Sequence, residues 1–352
     1  MKTNRFMDIL DRFSDVKIAV LGDFFLDLYI EMERSRSEFS LETHKEAFQA
    51  IGLRGQPGAA GVVANNLASL NAETAAIGYV GNDGNGFALK QALEAQNINT
   101  DRLIEHHDRL TLTYIKPLMR ELDGHVNELN RIDIINRSPN NHTLNASLLK
   151  NVGSAMDNFD GILIVEQISA DGHGTMSPLL RGGLTKYQND YPDKIIMVDS
   201  RHHAGDYRGV SIKMNLSEAI QAVGQLENST SHLEDNNLLM AKRCADQIWA
   251  KNQQSVFITL GSEGIVGRSE DGIFHHPGYR IDGPIDIVGA GDSVLAGIGL
   301  ALCTGATPNE AAYIGNLVGS ITVQQIGTTG VVTQKALVKR HKQYQQQVKE
   351  QD

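Results

Sequence analysis

The sequence contains few cysteines: Cys244 and Cys303 are the only two among 352 residues. Two cysteines cannot build the disulfide framework of a small secreted domain, so we expect two reduced thiols in apolar helices. Long apolar runs are also missing, and no stretch approaches the length of a membrane span. The first 15 residues are charged throughout and lack the apolar centre of a signal peptide. These absences predict a cytoplasmic protein with no membrane partner.

Positive charge is scarce as well: 32 Lys and Arg residues stand against 42 Asp and Glu residues, a net charge of −10. This balance argues against the broad basic face of a nucleic-acid-binding protein. An anionic small molecule stays compatible with it, because a few local cations can hold a phosphate in an acidic protein. The hydrophobic content of 41% is ordinary for a globular chain that buries a sizeable core.

Apolar, β-branched segments alternate with helical ones along most of the chain. Strands are predicted within 16–30 (with a break at Gly22–Asp23), 73–81, 159–167, 194–201 and 255–261. Helices are predicted at 58–70, 85–98, 176–188, 216–224 and 236–250, with a polar, fraying helix at 334–352. Phe6, Ile9, Leu10 and Phe13 form one face of an N-terminal helix, and Phe87, Leu89 and Leu93 are the apolar positions of 85–98. The alternation predicts an α/β fold, a parallel sheet with helices on both faces.

Two segments, 28–55 and 109–135, break this rhythm. The first is polar and irregular, whereas the second has Thr-rich alternation and an Asp-Gly pair at 123–124 that is typical of a hairpin turn. We expect both to contribute strands to one small, separate sheet.

The stretch "IDIVGAGDSVLAGIGLAL" (285–302) places Gly289, Ala290 and Gly291 before Asp292 and then continues with helical apolar spacing. A helix N-terminus presents unpaired N–H groups, and small residues before it let these groups surround an anionic oxygen. A carboxylate beside such an anion hole can act as the base in phosphoryl transfer to an alcohol. By itself the motif fits a tight turn with Asp292 as a helix cap equally well.

Further motifs stand in a fixed order around it. They are "VLGDFFLDLY" with Asp27, "PGAAGVVANNLASL" with Gly58 and Asn66, "YVGNDGNG", Glu166, "MNLSEA" (214–219) and "ITLGSEG" (258–264). Together with "DIVGAGD" they resemble the PfkB, or ribokinase-like, carbohydrate kinases over nearly the whole chain. This resemblance implies a single three-layer α/β/α domain over 1–352, with a mostly parallel central sheet and a small β lid formed by about 28–55 and 109–135.

The resemblance also implies roles for individual residues. Asp292 would be the catalytic base and Gly289, Ala290 and Gly291 the anion hole, with ATP and Mg²⁺ as cofactors. Asn215 and Glu218 would organise the metal through water. Thr259, Gly261, Gly264 and Asn316 would lie along the nucleotide, with 316–330 flanking adenine. Asp27, Gly58, Asn66 and Glu166 would contact the sugar, and Asp286 would border a monovalent-cation site for K⁺, as in some relatives.

Within this family the chain most resembles the bacterial heptose-7-phosphate kinases. Those proteins carry a late R-x-D motif, which Arg131 and Asp133 match, and "DSRHHAGDYRGVSIKMNLSE" (199–218) resembles their D-P-K stretch. Arg131, Lys116 and Arg36 are therefore candidate clamps for an acceptor that already carries a phosphate. For Lys116 and Arg36 a solvated surface position is preferred. Family lids often pair between subunits, so a homodimer through the lid is also expected.

Several residues depart from the family pattern. Ala59 replaces the second hinge glycine, Val62 replaces a sugar-contacting asparagine, and Val288 replaces the threonine before the anion loop. A valine cannot read hydroxyl groups by hydrogen bonds. Two functions therefore stay open: a sugar or sugar-phosphate kinase, and a nucleotide- or metabolite-binding protein of the same fold that has lost turnover.

The adjacent histidines at 106–107, 202–203 and 275–276 receive a structural interpretation. Neighbouring residues of a strand point to opposite faces, so such pairs do not readily form a metal cluster. Surface or loop histidines are expected.

Overall fold

The computed structural model describes residues 1–227 and 236–351, and two sheets organise this part of the chain. The strands in chain order are β1 Lys17–Gly22, β2 Phe24–Glu33, β3 Glu38–Phe39, β4 Glu46–Ala47, β5 Ala50–Ala59, β6 Glu73–Gly81, β7 Asn99–His106, β8 Thr113–Arg120, β9 Val126–Glu128, β10 Ile132–Ile134, β11 Gly161–Glu166, β12 Ile195–Ser200, β13 Ser211–Asn215, β14 Val256–Thr259, β15 Ile265–Ser269 and β16 Gly272–His276. The helices are α1 Thr3–Asp11, α2 Ala60–Ser69, α3 Gly84–Glu94, α4 His142–Asn158, α5 Pro178–Asp190, α6 Leu216–Glu227, α7 Asn237–Asn252, α8 Ala290–Cys303, α9 Pro308–Thr322 and α10 Gln334–Gln351.

The main sheet has nine strands in the order β16-β15-β14-β13-β12-β11-β1-β6-β7. The pairs from β7 to β14 are parallel, and the two pairs at the β16 edge are antiparallel. Side chains of β1 alternate between two cores, because Ile18 and Val20 pack with α1, α2, α3, α8, α9 and α10, whereas Ala19 and Leu21 pack with α4, α5, α6 and α7. Both faces are thus covered, and the predicted three-layer α/β class is confirmed.

The segments 28–55 and 109–135 meet in a second sheet of order β10-β8-β2-β5, with β9 paired to β8. We call these five strands the small sheet. The Asp-Gly turn joins β8 to β9 as an antiparallel hairpin, as predicted. The strands of the small sheet extend beyond the predicted segment 28–55, because β2 starts at Phe24 and β5 ends at Ala59. β3 and β4 pair only with each other.

Two predictions about helices are wrong. Phe87 is 70% exposed, because α3 begins at Gly84 and buries the face that Leu89 and Leu93 share at i and i+4. The last helix is not a loose polar tail either. Leu337, His341 and Tyr344 form a buried stripe along it, and the His341 ring stacks on Phe6 of α1 at 4.0 Å.

Both cysteines are free thiols, as expected. In the part of the chain that the structure covers, every helix is too short or too polar to cross a bilayer.

Candidate active site

The first turn of α8 forms the centre of the site. Gly289 adopts φ +74°, a left-handed conformation that suits glycine, and caps the helix that starts at Ala290. Among the residues described, the N–H groups of Gly291 and Asp292 have no backbone or side-chain acceptor, as expected for a helix start. The Ala290 N–H donates to the Ile287 carbonyl at 3.2 Å. The Gly289 N–H has no acceptor among these residues either, so Ala290 is the one member of the predicted anion hole whose N–H is already engaged.

A cavity of about 1100 Å³ opens in front of this turn, and Gly289, Ala290, Gly291 and Asp292 all line it. Burial raises the pKa of the Asp292 carboxyl to about 7, and the nearby Asp199 carboxylate adds to this effect. The positive charges of Lys213 and Arg201 oppose it. A carboxyl group with a pKa near neutrality is well matched to take up and release a proton.

The ends of β13 and β14 form the opposite wall of the cavity. Asn215 and Glu218 bind each other as a reciprocal helix cap: the Glu218 N–H donates to Asn215 Oδ1 at 2.9 Å, and the Asn215 N–H donates to Glu218 Oε2 at 2.7 Å. Glu218 Oε1 stays unpaired within the described ranges. Burial and the Asp199 charge raise the pKa of Glu218. These oxygen donors suit a hydrated Mg²⁺ ion, which retains several waters and needs few protein ligands.

The predicted nucleotide residues lie along the same cavity. Thr259 ends β14, and Gly261 and Gly264 follow it. Asn316 of α9 donates to the Pro277 carbonyl at 2.7 Å. Gly264 has no room for a side chain, because an added Cβ would lie 2.0 Å from the His276 carbonyl oxygen. This wall brings together residues that are about a hundred positions apart in the sequence.

Asp286 does not line the cavity, although its neighbours do. Its carboxylate accepts the Val288 N–H at 3.0 Å and the Gly327 N–H at 2.9 Å, while its own N–H donates to the Val323 carbonyl. Asp286 therefore fastens the segment before the anion turn to the loop after α9. Its role at a monovalent-cation site stays a prediction.

Asp27 and Gly58 meet on neighbouring strands of the small sheet. A Cβ on Gly58 would lie 3.0 Å from Asp27 Oδ1, so the glycine leaves room for the carboxylate. Lys116 Nζ donates to Asp27 Oδ2 at 3.0 Å and to the Tyr29 hydroxyl at 3.3 Å. The preferred solvated position of Lys116 is wrong, because both members of this ion pair are largely buried. The Asp27 charge also raises the pKa of Asp292, which links the small sheet to the anion turn.

Asn66 does not reach the acceptor side. It is completely buried in α2, and its Nδ2 donates to the Val62 carbonyl at 3.0 Å and to the Gly330 carbonyl at 3.1 Å. The expected sugar contact is wrong, since the amide joins α2 to the loop after α9. The partner that occupies this amide lies 264 residues away in the sequence.

Glu166 borders the cavity, but its carboxylate is already engaged. Arg181 donates to it at 2.5 Å, and the hydroxyl groups of Ser200 and Tyr207 donate at 2.7 and 2.9 Å. Arg181 also bridges to Asp171. Burial raises the pKa of Glu166. A contact of Glu166 with the sugar stays a prediction: the residue lines the cavity, and Arg181, Ser200 and Tyr207 hold its carboxylate there.

The predicted phosphate clamps are also partnered. Arg131 binds Asp133 through two hydrogen bonds of 2.6 and 2.8 Å, and its guanidinium stacks on Tyr114 at 4.0 Å. Arg36 pairs with Glu33 on the surface at 2.8 Å, which agrees with the preferred interpretation.

Several charged residues of the cavity were not singled out from the sequence, and among them are Asp199, Arg201 and Lys213. Lys213 lies inside the apolar segment "VSIKM", where a lone lysine was an available signal. Arg201 has no ion-pair partner within residues 1–227 and 236–351, and its charge acts on both Asp292 and Glu218. A cation that lacks a protein partner in a cavity is suited to an anionic ligand.

The histidine pairs behave differently from one another. His203 lies in a turn, as expected, whereas His275 and His276 end strand β16; all three bond to backbone carbonyl groups. His106 ends β7 and His107 begins the turn after it. Their rings stack, and their ligand atoms come within 4.8 Å of each other and of Asp108. The argument that neighbours face apart does not hold for this pair, which lies outside the cavity.

Ala59 and Val62 adjoin the site from α2. Ala59 has φ +49° and ψ −112°, a conformation that strongly favours glycine. Val62 is buried with its Cγ1 against Gly289, where an added Cβ would lie 3.3 Å away. The two departures from the family pattern thus put a strained residue at the start of α2 and an apolar contact beside the anion turn.

We expect the Ala59→Gly variant to be more stable than the parent by about 1 kcal/mol, because relief of the positive φ outweighs the entropy that glycine adds to the unfolded chain. Ala60→Gly is the matched control: Ala60 is helical, and its replacement should destabilise the protein by about 1 kcal/mol. Urea unfolding of both variants tests this. Equal destabilisation of both would show that Ala59 is not strained.

The fold and the residues of this site are typical of carbohydrate kinases. A family model described as "pfkB family carbohydrate kinase" matches residues 17–159 and 210–335, so the chain belongs to this ATP-dependent family.

The chain is similar to the bifunctional protein HldE of Caulobacter vibrioides, with 29% identity over 90% of this chain, and to that of Citrifermentans bemidjiense, with 24% identity over 95%. The chain spans 62% and 65% of the length of these relatives. The fold is similar to that of phosphofructokinase-2 (Y23D mutant) from Escherichia coli, with a TM-score of 0.68 and 17% identity over 94% of this chain and 99% of that one. It also resembles Arabidopsis thaliana ribokinase complexed with ribose and ATP, with a TM-score of 0.64 and 16% identity over 92% and 98% of the two chains.

Proposed function

We propose that the protein transfers the γ-phosphoryl group of ATP to a hydroxyl group of a sugar phosphate similar to heptose 7-phosphate. The observation that carries the proposal is the combination of unpaired N–H groups at Gly291 and Asp292 with the Asp292 carboxyl group, at the wall of a cavity that Glu218 also lines. The relatives named HldE support the heptose class of acceptor.

In this mechanism Asp292 removes the proton of the acceptor hydroxyl. The acceptor oxygen then bonds to the γ-phosphorus while the bond from this phosphorus to the β,γ-bridging oxygen breaks, and ADP leaves. The N–H groups of the first turn of α8 stabilise the negative charge on the transferred group. The elevated pKa of Asp292 fits a base that must hold and then release this proton.

Asn215 and Glu218 would hold hydrated Mg²⁺, which supplies charge neutralisation to the triphosphate when bound. Thr259, Gly261, Gly264 and Asn316 would line the nucleotide on the same side. Asp286 would border a K⁺ site through its remaining lone pairs. Arg201, whose guanidinium has no ion-pair partner in the described ranges, is the best candidate to receive a phosphate already present on the acceptor.

We also propose that the small sheet acts as a lid over the acceptor and pairs with the same sheet of a second copy. Large apolar side chains are exposed on it or on the adjoining strands, including Phe39, Leu53 and Ile132. Apolar residues concentrated on one part of a surface are typical of interfaces. Light scattering would measure the oligomeric state.

The test of the function is ADP release from Mg²⁺-ATP in the presence of heptose 7-phosphates, hexose phosphates and free sugars. We expect release that depends on a phosphorylated acceptor. A preference for an unphosphorylated sugar would overturn the acceptor class. ATP binding without release for any acceptor would favour the second function, a binding protein that has lost turnover, to which the apolar Val62 beside the anion turn also points.

Asp27→Asn is expected to raise the acceptor KM by about 10-fold or more, since a hydrogen-bonding charged group would be lost. The change also leaves Lys116 buried without its counter-ion, so stability should fall by about 1–3 kcal/mol. In the double variant Asp27→Asn/Lys116→Met the stability loss should be smaller, whereas the KM should stay high. Steady-state kinetics and urea unfolding measure the two effects. An unchanged acceptor KM in Asp27→Asn would remove Asp27 from the acceptor site.

A further inference from the structure

Lys213 is a buried cation at the wall of the cavity. It lies on β13 directly opposite Asp199 of β12, and adjacent residues of paired strands present their side chains on the same side of the sheet. Its Nζ donates to Asp199 Oδ2 at 2.5 Å, and only 4% of the residue is exposed. Both side chains line the cavity in front of α8.

The ammonium group stands against the anion turn. A Cβ on Gly291 would lie 2.9 Å from Lys213 Nζ, so the missing side chain of Gly291 makes room for it. An ammonium group has three N–H donors, and Asp199 is the one hydrogen-bond acceptor it has among the described residues. Two donors of a buried charge are therefore left for a ligand, and burying them unpaired is costly unless an oxygen atom completes the site.

We infer that Lys213 is a catalytic residue that hydrogen-bonds to the transferred phosphoryl group, opposite the N–H groups of Gly291 and Asp292, and that Asp199 is its positioning residue. The inference rests on the proposed phosphoryl transfer. Lys213 stays an ammonium group throughout and neither gives up nor takes a proton. It stabilises the charge on the phosphoryl oxygens while the acceptor–phosphorus bond forms and the bond to ADP breaks.

Lys213 also has a structural role, because it neutralises the Asp199 carboxylate on the neighbouring strand. Added methylammonium distinguishes the two roles. If Lys213 contacts the phosphoryl group, a small amine that supplies N–H donors at the same place restores activity. If Lys213 only neutralises Asp199, its loss affects the stability of the fold, and N–H donors have no specific effect on activity.

Lys213→Ala tests this distinction. We expect kcat to fall by about 10²–10³-fold, with changes below about 3-fold in the affinity for ADP and in the acceptor KM. Methylammonium should restore at least about a tenth of the lost activity in a saturable manner, by supplying N–H donors in the vacated space. Tetramethylammonium, which carries the charge without donors, should not. Lys90→Ala, which removes a surface lysine paired with Glu105, is the control and should leave kcat unchanged.

A kcat of Lys213→Ala within about 3-fold of the parent overturns the inference. A large loss of kcat that methylammonium and tetramethylammonium restore equally, or that neither restores, also overturns the inference. If the alanine variant does not fold, Lys213→Met, which keeps the length of the side chain, should show the same loss in kcat with ADP affinity retained. A methionine variant with parental kcat overturns the inference too. Asp199→Asn should lose less activity, and methylammonium should not restore it, because the lysine is still present.

Binding of ADP with aluminium fluoride separates this inference from the choice of acceptor. The complex mimics the transferred phosphoryl group and requires no sugar. Isothermal titration calorimetry with Mg²⁺ should show tighter binding of ADP with aluminium fluoride than of ADP alone to the parent protein, and this gain should disappear in Lys213→Ala. If aluminium fluoride tightens ADP binding equally in both proteins, the role of Lys213 is overturned. If the tightening is lost in Lys213→Ala but none of the tested acceptors is phosphorylated, only the proposed sugar phosphate is overturned.

Discussion

Asp292→Asn is expected to reduce kcat by about 10²–10⁴-fold, the range that a positioned general base contributes. The asparagine has the same shape, so the N–H groups of the turn stay in place and the affinity for ADP should be unchanged. Asp282→Asn, which alters an exposed carboxylate on the same segment, is the control and should keep full activity. Acceptor-dependent ADP release measures kcat, and calorimetry measures ADP affinity. A variant with kcat near that of the parent would mean that another group removes the proton.

The same substitution should make the unliganded protein more stable. Burial raises the pKa of Asp292 from 3.8 to about 7, so the folded protein binds a proton that the unfolded chain has released between these values. Stability therefore falls as the pH rises from about 4 to 7, and above pH 7 the ionised carboxylate costs no more than about 4 kcal/mol. Asparagine has no such dependence. Thermal unfolding at pH 5 and pH 8 should show a difference between the two proteins that is largest at pH 8.

The pH profile of catalysis provides a second readout of Asp292. Only the deprotonated carboxylate can accept the proton, so kcat/KM should fall with unit slope below a pKa of about 7. Bound nucleotide adds negative charge and shifts the value that kcat itself reports. A profile that is flat down to pH 5 would contradict the raised pKa of the free protein.

Gly264→Ala should have the second large effect. Gly264 has φ +92°, and an added Cβ would lie 2.0 Å from the His276 carbonyl oxygen and 2.6 Å from the Gly278 nitrogen. These are backbone atoms that cannot rotate away, so the loop after β14 must move. We expect a loss of stability of about 3–5 kcal/mol and at least about a 10-fold loss of ADP affinity, because this loop lines the nucleotide side.

Gly261→Ala is the matched comparison, since Gly261 also has a positive φ (+59°) but no atom within 4 Å of an added Cβ. Its replacement should cost only about 1–2 kcal/mol, from the left-handed backbone alone. Urea unfolding and ADP titration of both variants give the answer. Similar losses for the two glycines would show that backbone conformation rather than the close approach of Gly264 sets the cost.

The alternation of strands and helices was predictable from local patterns for many of the elements, and so was the start of α8, whereas β7, α4 and β16 were not singled out. Apolar runs mark β1, β11 and β12, and the small residues before Asp292 mark the start of α8. Each of these signals lies within a few residues, because a helix start or a buried strand depends on its immediate neighbours. The motifs also assigned both Asp27 and Gly58 to the acceptor side, and the structure has them on neighbouring strands.

The partners of buried polar groups were not predictable in this way. Asn66 and Glu166 have the residue types of a sugar site, yet Gly330 and Arg181 engage them in the folded chain. The last helix has mostly polar residues, and its buried stripe was not recognised because its partner, α1, lies more than 300 residues earlier in the chain. Lys213 is the converse case: it was not expected at the site, and its contacts with Asp199 and Gly291 bring it to the cavity wall.

The sequence alone determined the α/β class, the two sheets and the acidic residue at the start of α8, since each follows from the spacing of neighbouring residues. Only the tertiary structure decided which polar side chains face the cavity and which are used as internal ties. The physical reason is that a hydrogen bond or ion pair is set by distance in space, and the chain brings Lys213, Gly291 and Asp292 together only after the sheet and helices have packed.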